Sequence, residues 1–311
     1  MKNILIFCMT VLFYSCASSQ GFTALDSAGG TEIRENGKKV LFYQFQPKSI
    51  NGQYERAGYI HPLYSMKETV LTEDHPVDHL HHHGIFWAWH QIVLNGKQVA
   101  DSWTSEHISW KPIKMTVKKD RDKLVINAKL IWNVQASPSD KIIPVISEFT
   151  KITVFKSTAR YRILDFDIKL TALTNDLRIG GSSDVKGYGG FSLRFKLPAD
   201  ISFHSRDSSV TPINEQILAG PWMNFSGSFD GESSPKAGVA VFCPTTEPGN
   251  KQPWILRSSE SMQNIVFPGN DPVALTKDGK TFNYRLVIQN EELGNDELQA
   301  MYQQYILSSH H

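Results

Sequence analysis

Tyr161-Arg162-Ile163-Leu164-Asp165-Phe166-Asp167-Ile168-Lys169-Leu170 decides the fold class. From Leu164 onward apolar and polar residues alternate strictly. A period of two sends successive side chains to opposite faces, which suits a strand with one buried face. Residues 39–45, 123–132, 152–155, 190–197 and 282–289 are further short runs rich in Val, Ile, Leu, Phe and Tyr. Turn dipeptides separate such runs: Asn36-Gly37, Asn51-Gly52, Asn95-Gly96, Asp230-Gly231 and Asp278-Gly279. Helical spacing is confined to the end, where Asn295 is placed to cap a helix with Leu298, Met301, Tyr302 and Tyr305 on one face. Strands without alternating helices predict an all-β chain, a large antiparallel sandwich with a short C-terminal helix.

Composition narrows the partners. The chain has 311 residues, 32 Lys+Arg against 31 Asp+Glu, and a formal net charge of +1. No basic excess is available to neutralise phosphates, so nucleic acid is not an expected partner. Hydrophobic residues make up 41% and charged residues 20%, which suits a packed core. One Lys and the apolar run 4–14 read as an export leader too short to span a bilayer. Phe13-Tyr14-Ser15-Cys16 is a loose lipobox, so the expectation is a leader at 1–16, lipidation at Cys16, and a periplasmic or outer-membrane-anchored protein. The only membrane contact is then that anchor. The remainder, 20–308, reads as one domain. Cys243 lies in an apolar run and reads as a small buried hydrophobe.

The chemistry concentrates between His75 and His90. His75, His79, His81, His82, His83 and His90 fall there, out of 11 His in the chain. Imidazoles that cluster serve proton transfer or metal binding. In an extended segment His79, His81 and His83 share one face, while Asp78, Leu80 and His82 share the other. His81, His82 and His79 are the candidate acid/base residues. His79, His81 and His83 are the candidate ligands if a divalent metal is the cofactor, with Glu148 or Asp78 as a fourth. Candidate substrate-binding residues are Arg56, His61, Asp78, Glu148, Lys186, Arg194, Trp254 and Arg257. Guanidinium groups clamp hydroxyls or carboxylates, and indoles stack on sugar faces.

Arg56-x-Gly58-Tyr59-Ile60-His61-Pro62-Leu63, Leu71-Thr72 and Asp78-His79-x-His81-His82-x-Gly84 resemble the bacterial family labelled methane oxygenase PmoA, the PmoA-like family of unknown function. Lys186-Gly-Tyr-Gly-Gly-Phe191, Pro221-Trp-Met-Asn-Phe-Ser-Gly227, Ala237-Gly-Val-Ala-Val-Phe242 and Pro253-Trp-Ile-Leu-Arg257 extend the resemblance over most of the chain. Family members commonly read Asp-His-Pro-His-His-Arg-Gly; here Leu80 replaces the Pro and His83 the Arg. Methane oxidation does not carry over, because the membrane subunit of that name spans the bilayer with helices and this chain offers none. The order Trp254, Phe267-Pro268, Leu275 and Gly279 is similar to galactose mutarotase-like supersandwiches, with Arg257 near the place of the epimerase base. The leader, the clustered His with flanking cations and Trp, and the mutarotase-like resemblance together lead to the expectation of an exported protein whose partner is a small carbohydrate or oligosaccharide. Three functions stay open: an epimerase, lyase or hydrolase, a non-catalytic glycan-binding lipoprotein, and a metal-dependent enzyme.

Overall fold

The computed structural model describes residues 21–309 apart from 136, 138, 207 and 245–250. The leader at 1–16 and the lipidation candidate Cys16 lie outside the described residues. Two nine-stranded antiparallel sheets form the body. In spatial order the first runs Phe22–Asp26, Gly30–Glu35, Lys38–Gln44, Tyr59–Leu63, Ile85–Ala88, Gly190–Leu193, Gln263–Val266, Gln252–Ile255 and Ile217–Ala219. The second runs Ile108–Lys119, Lys123–Val134, Ile143–Phe155, Tyr161–Ala172, Lys280–Gln289, Ala237–Phe242, Trp222–Gly227, Ser202–Ser205 and Ser208–Ser209. A four-stranded sheet that includes Gln91–Leu94 and Lys97–Ala100, and the hairpin Lys48–Ile50 with Gln53–Arg56, complete the strands. The all-β sandwich expected from the alternation is the observed architecture.

The decisive stretch behaves as its alternation predicts. Leu164, Phe166, Ile168 and Leu170 are buried in the core. On the other face Asp165 accepts two hydrogen bonds from Arg285, its cross-strand neighbour, at 2.6 and 2.7 Å. Phe191 of the first sheet meets Phe166 and Tyr284 of the second at ring distances of 5.2 and 4.2 Å. Asn36-Gly37, Asn51-Gly52 and Asn95-Gly96 each have positive φ at both residues, the conformation that closes two-residue hairpins with the twist of their strands.

Strand Ala237–Phe242 is apolar at every position because both of its faces are covered. Val239 and Val241 enter the main core. Ala240 and Phe242 turn outward, where the helix Asn295–Ser309 lays Leu298, Met301, Tyr302 and Tyr305 on them together with Trp222 and Val287. Asp296 and Glu297 in the first turn complement the positive end of the helix dipole. Among the described residues no helix is long and apolar enough to cross a membrane. Cys243 is buried, and burial pushes its thiol far above the usual range.

Strand Ile143–Phe155 carries a carboxyl group into the core. Glu148 is 1% exposed and accepts hydrogen bonds from Trp132 Nε1 and Thr150 Oγ1, both at 2.8 Å. Burial holds its pKa above the ordinary value of 4.5, so the folded chain binds this proton more tightly than the unfolded one. The associated stability is present below pH 4.5 and is lost as pH rises through the raised value. Urea unfolding of Glu148→Gln across that range should show a flatter pH dependence than the wild type, whatever the absolute stability. An unchanged slope would contradict the assignment.

Candidate functional site

The histidine loop is not extended. It leaves the first sheet after Thr72, which bridges to Phe195, and re-enters as strand Ile85–Ala88. Between them the His79 N–H donates to Pro76 O at 3.0 Å and the His82 N–H to His79 O at 2.9 Å, two tight turns in succession. His75, at φ 51°, donates its N–H to His82 O across the loop. A period of two therefore fails, and the expected face of His79, His81 and His83 does not form. Instead His79 and His82 stack, with ring centroids 4.6 Å apart and planes within 1°. His81 meets His82 edge-on at 4.6 Å. His83 turns away and is buried against Tyr59 and Phe86. The ligand set His79, His81 and His83 is thereby corrected.

Both ends of the loop are tied to Arg194. Its N–H donates to Gly84 O and its carbonyl accepts from the Glu73 N–H, at 2.7 and 2.9 Å. Its guanidinium donates from Nε to Glu73 Oε2 and from Nη2 to Asp78 Oδ1, both at 2.8 Å. Asp78 in turn accepts from His79 Nδ1 at 2.6 Å. Desolvation alone would raise the Asp78 pKa, but the bonds from His79 and Arg194 hold it below the usual range. With Nδ1 committed to a carboxylate, the His79 ring keeps a lone pair on Nε2. A Cβ at Gly84 would run into the carbonyl of Ile60 and lie 3.0 Å from His61 Cβ, so glycine permits the close return of the chain.

His79, His81 and His82 form one wall of an open cavity of about 480 Å³. Trp103, Lys186, Tyr188, Asn214, Arg257, Glu260 and Met262 line the rest. Burial, reinforced by its His79 neighbour, lowers the His81 pKa to about 4, and burial lowers that of His82 further. Arg257 is held by backbone carbonyls, donating from Nη1 to Ile213 O and Leu256 O and from Nη2 to Asn214 O. Lys186 sits on a turn organised by Asp184, which accepts from Ser182 Oγ and the Lys186 N–H. Neither cation is in a contact ion pair among the described residues; Asp184 interacts electrostatically with Lys186, and Glu260 adds an acidic group to the lining.

A second carboxylate–imidazole pair stands behind this wall. His90 Nδ1 donates to Asp101 Oδ2 at 2.8 Å, and its ring stacks on Trp103 at 5.3 Å. Asp101 Oδ1 also accepts from the Trp103 and Thr104 N–H groups, which fixes the indole. Spacing did not single out Asp101 or Trp103. The available signal was the Asn95-Gly96 turn, whose hairpin brings Asp101 back beside His90.

Four expected binding residues lie elsewhere. Arg56 is 2% exposed; it donates to Ser102 O and Trp87 O and lies 4.6 Å from the Trp110 ring. Burial brings its pKa down to about 10, so it remains a cation in the core near Glu148. Glu148 is a core residue, as above, and is excluded as a metal ligand. Trp254 is fully buried, its Nε1 donating to Gly220 O at 3.0 Å. His61 is hydrogen-bonded to Thr72 Oγ1 at 3.1 Å, and burial lowers its pKa to about 4. It is absent from the cavity wall. Arg56, Glu148 and Trp254 are enclosed in the packed interior, and His61 is half-buried against Thr72. Arg194 acts from behind, through Asp78.

The model of a family of unknown function, DUF6807, matches residues 30–303, and the chain belongs to that family. No curated protein matches it.

The two classes of arginine separate by stability. Arg56→Ala leaves two buried carbonyls without donors and a hole among aromatic rings, and should cost about 3–5 kcal/mol. Arg257→Ala gives up only hydrogen bonds at the cavity edge, about 1–2 kcal/mol. Denaturant midpoints of the two variants check the ranking, and equal losses would remove the distinction.

Proposed function

We propose that this DUF6807 member is a carbohydrate-active enzyme that moves a proton on a sugar bearing a carboxylate. One observation carries the reading: the chain Arg194–Asp78–His79 ends on an imidazole in the wall of an open polar cavity. A carboxylate behind Nδ1 orients the ring and stabilises the imidazolium that forms when Nε2 takes a proton. The cavity size suits a mono- or disaccharide. Tyr188 offers an aromatic surface, and Asn214, Ser259 and Ser261 offer hydroxyl partners.

Lys186 and Arg257 favour an acidic sugar over a neutral one. A carboxylate neutralised by two cations makes the adjacent C–H more acidic, and that is a proton an imidazole can remove. Removal and return on the other face is epimerisation; removal with loss of the neighbouring oxygen substituent is elimination. His81 and His82 then act as hydrogen-bonding walls. The sequence resemblance to mutarotase-like supersandwiches supports a sugar partner, and the leader supports export and an anchor at Cys16.

His79→Ala and Asp78→Asn should each lower turnover of a uronic-acid substrate by roughly 10²–10⁴-fold while binding persists. The measurement is a thermal-shift screen of uronic acids against neutral sugars, followed by product analysis. Binding without turnover would assign a glycan-binding module instead. Turnover that survives both substitutions would overturn the proton-transfer role.

A further inference from the structure

His75, His83 and Asp74 sit at the base of the histidine loop, away from the cavity wall. Each offers one ligand atom, and the three atoms lie within 4.8 Å of one another. Both imidazoles have a fixed tautomer. His75 Nδ1 lies 2.8 Å from Leu80 O, which can only accept, so the proton is on Nδ1. His83 Nδ1 lies 2.8 Å from Asp74 Oδ1, with the same consequence. Each ring is left with a lone pair on Nε2. Both Nε2 atoms are buried and no described residue supplies them a donor. The His83 side chain is 0% exposed, and the two rings stand 4.8 Å apart, edge to face.

Two buried lone pairs without a donor are costly unless an electron-poor partner shares them. We propose that His75 Nε2 and His83 Nε2 bind a divalent transition cation of the zinc class. Paired imidazoles favour zinc, cobalt or nickel over calcium or magnesium, which take oxygen ligands. Asp74 has the place of the carboxylate that orients a metal-binding histidine from behind. Its other oxygen is taken, by Tyr59 Oη at 3.1 Å and Lys48 Nζ at 2.7 Å. The Lys48 ammonium is the local counterion and works against a second cation. His75 precedes the two turns and His83 follows them. A cation joining the two closes the loop that carries His79, His81 and His82, and acts as a staple for the cavity wall.

The test uses the full chain without an affinity tag, stripped with chelator and titrated with zinc, with cobalt as a spectroscopic probe. One zinc per chain, a rise in melting temperature and a cobalt d–d band are expected. His75→Ala should weaken zinc binding by at least about tenfold and abolish the melting shift. His81→Ala should retain both. Lys48→Met removes the competing charge and should tighten binding. His83→Ala repeats the test if it folds; His75 is only half-buried, so its variant carries the decision alone. Sub-stoichiometric uptake, or uptake unchanged in His75→Ala, would overturn the proposal. Sugar binding and turnover are read separately, so either inference can fail without the other.

Discussion

The candidate site depends on one buried guanidinium. Arg194 follows the central strand Gly190–Leu193, is 1% exposed, and holds a twelve-residue excursion of chain at its start, middle and end. Backbone bonds to Glu73 and Gly84 set where the loop leaves and rejoins the sheet. Side-chain bonds to Glu73 and Asp78 set how it folds in between. A loop with five histidines has little apolar surface of its own to bury, so polar bonds from the scaffold must supply its order. Isolating a cation in the interior is expensive unless its partners are charged and well aligned. Here two carboxylates meet that condition, and one of them passes the constraint on to His79.

Positive charge is handled in two ways within one molecule. Arg56 is enclosed by aromatic rings and backbone carbonyls, so its charge is spent inside the core. Arg257 is also held by carbonyls, but at the cavity edge. Carbonyl dipoles fix a guanidinium without cancelling its net charge, whereas a carboxylate would do both. The same side-chain type thus serves as a structural strut in one place and as a cavity-edge cation in another. Surroundings decide which.

Much of the sandwich was legible in the sequence because its signals are local. Leu164–Leu170 alternation, the Asn-Gly turns and the apolar face from Leu298 to Tyr305 each depend on neighbours a few residues away. The histidine segment was legible as a cluster but not as a geometry. Alternation assumes extended backbone, whereas hydrogen bonds from His79 to Pro76 and from His82 to His79 fold it back. That reversal joined His79 to His82 and sent His83 to Asp74. Arg56 and Arg257 were indistinguishable as letters, since each borders apolar residues; only long-range packing separates them. Trp103 and His90 meet because Asp101, eleven positions from His90, accepts from both. Such pairing is written in tertiary contacts, not in spacing.

The C-terminal helix has a consequence for the solution behaviour of shortened chains. Trp222, Phe242 and Val287 form a continuous greasy stripe on the outside of the second sheet, and residues from 298 to 305 are its cover. A polypeptide ending before Asn295 would keep its main core and most of its sheets, yet expose that stripe to water. Copies of such a molecule would meet through it, because the uncovered surface is identical on each and nothing else in the described residues is placed to shield it.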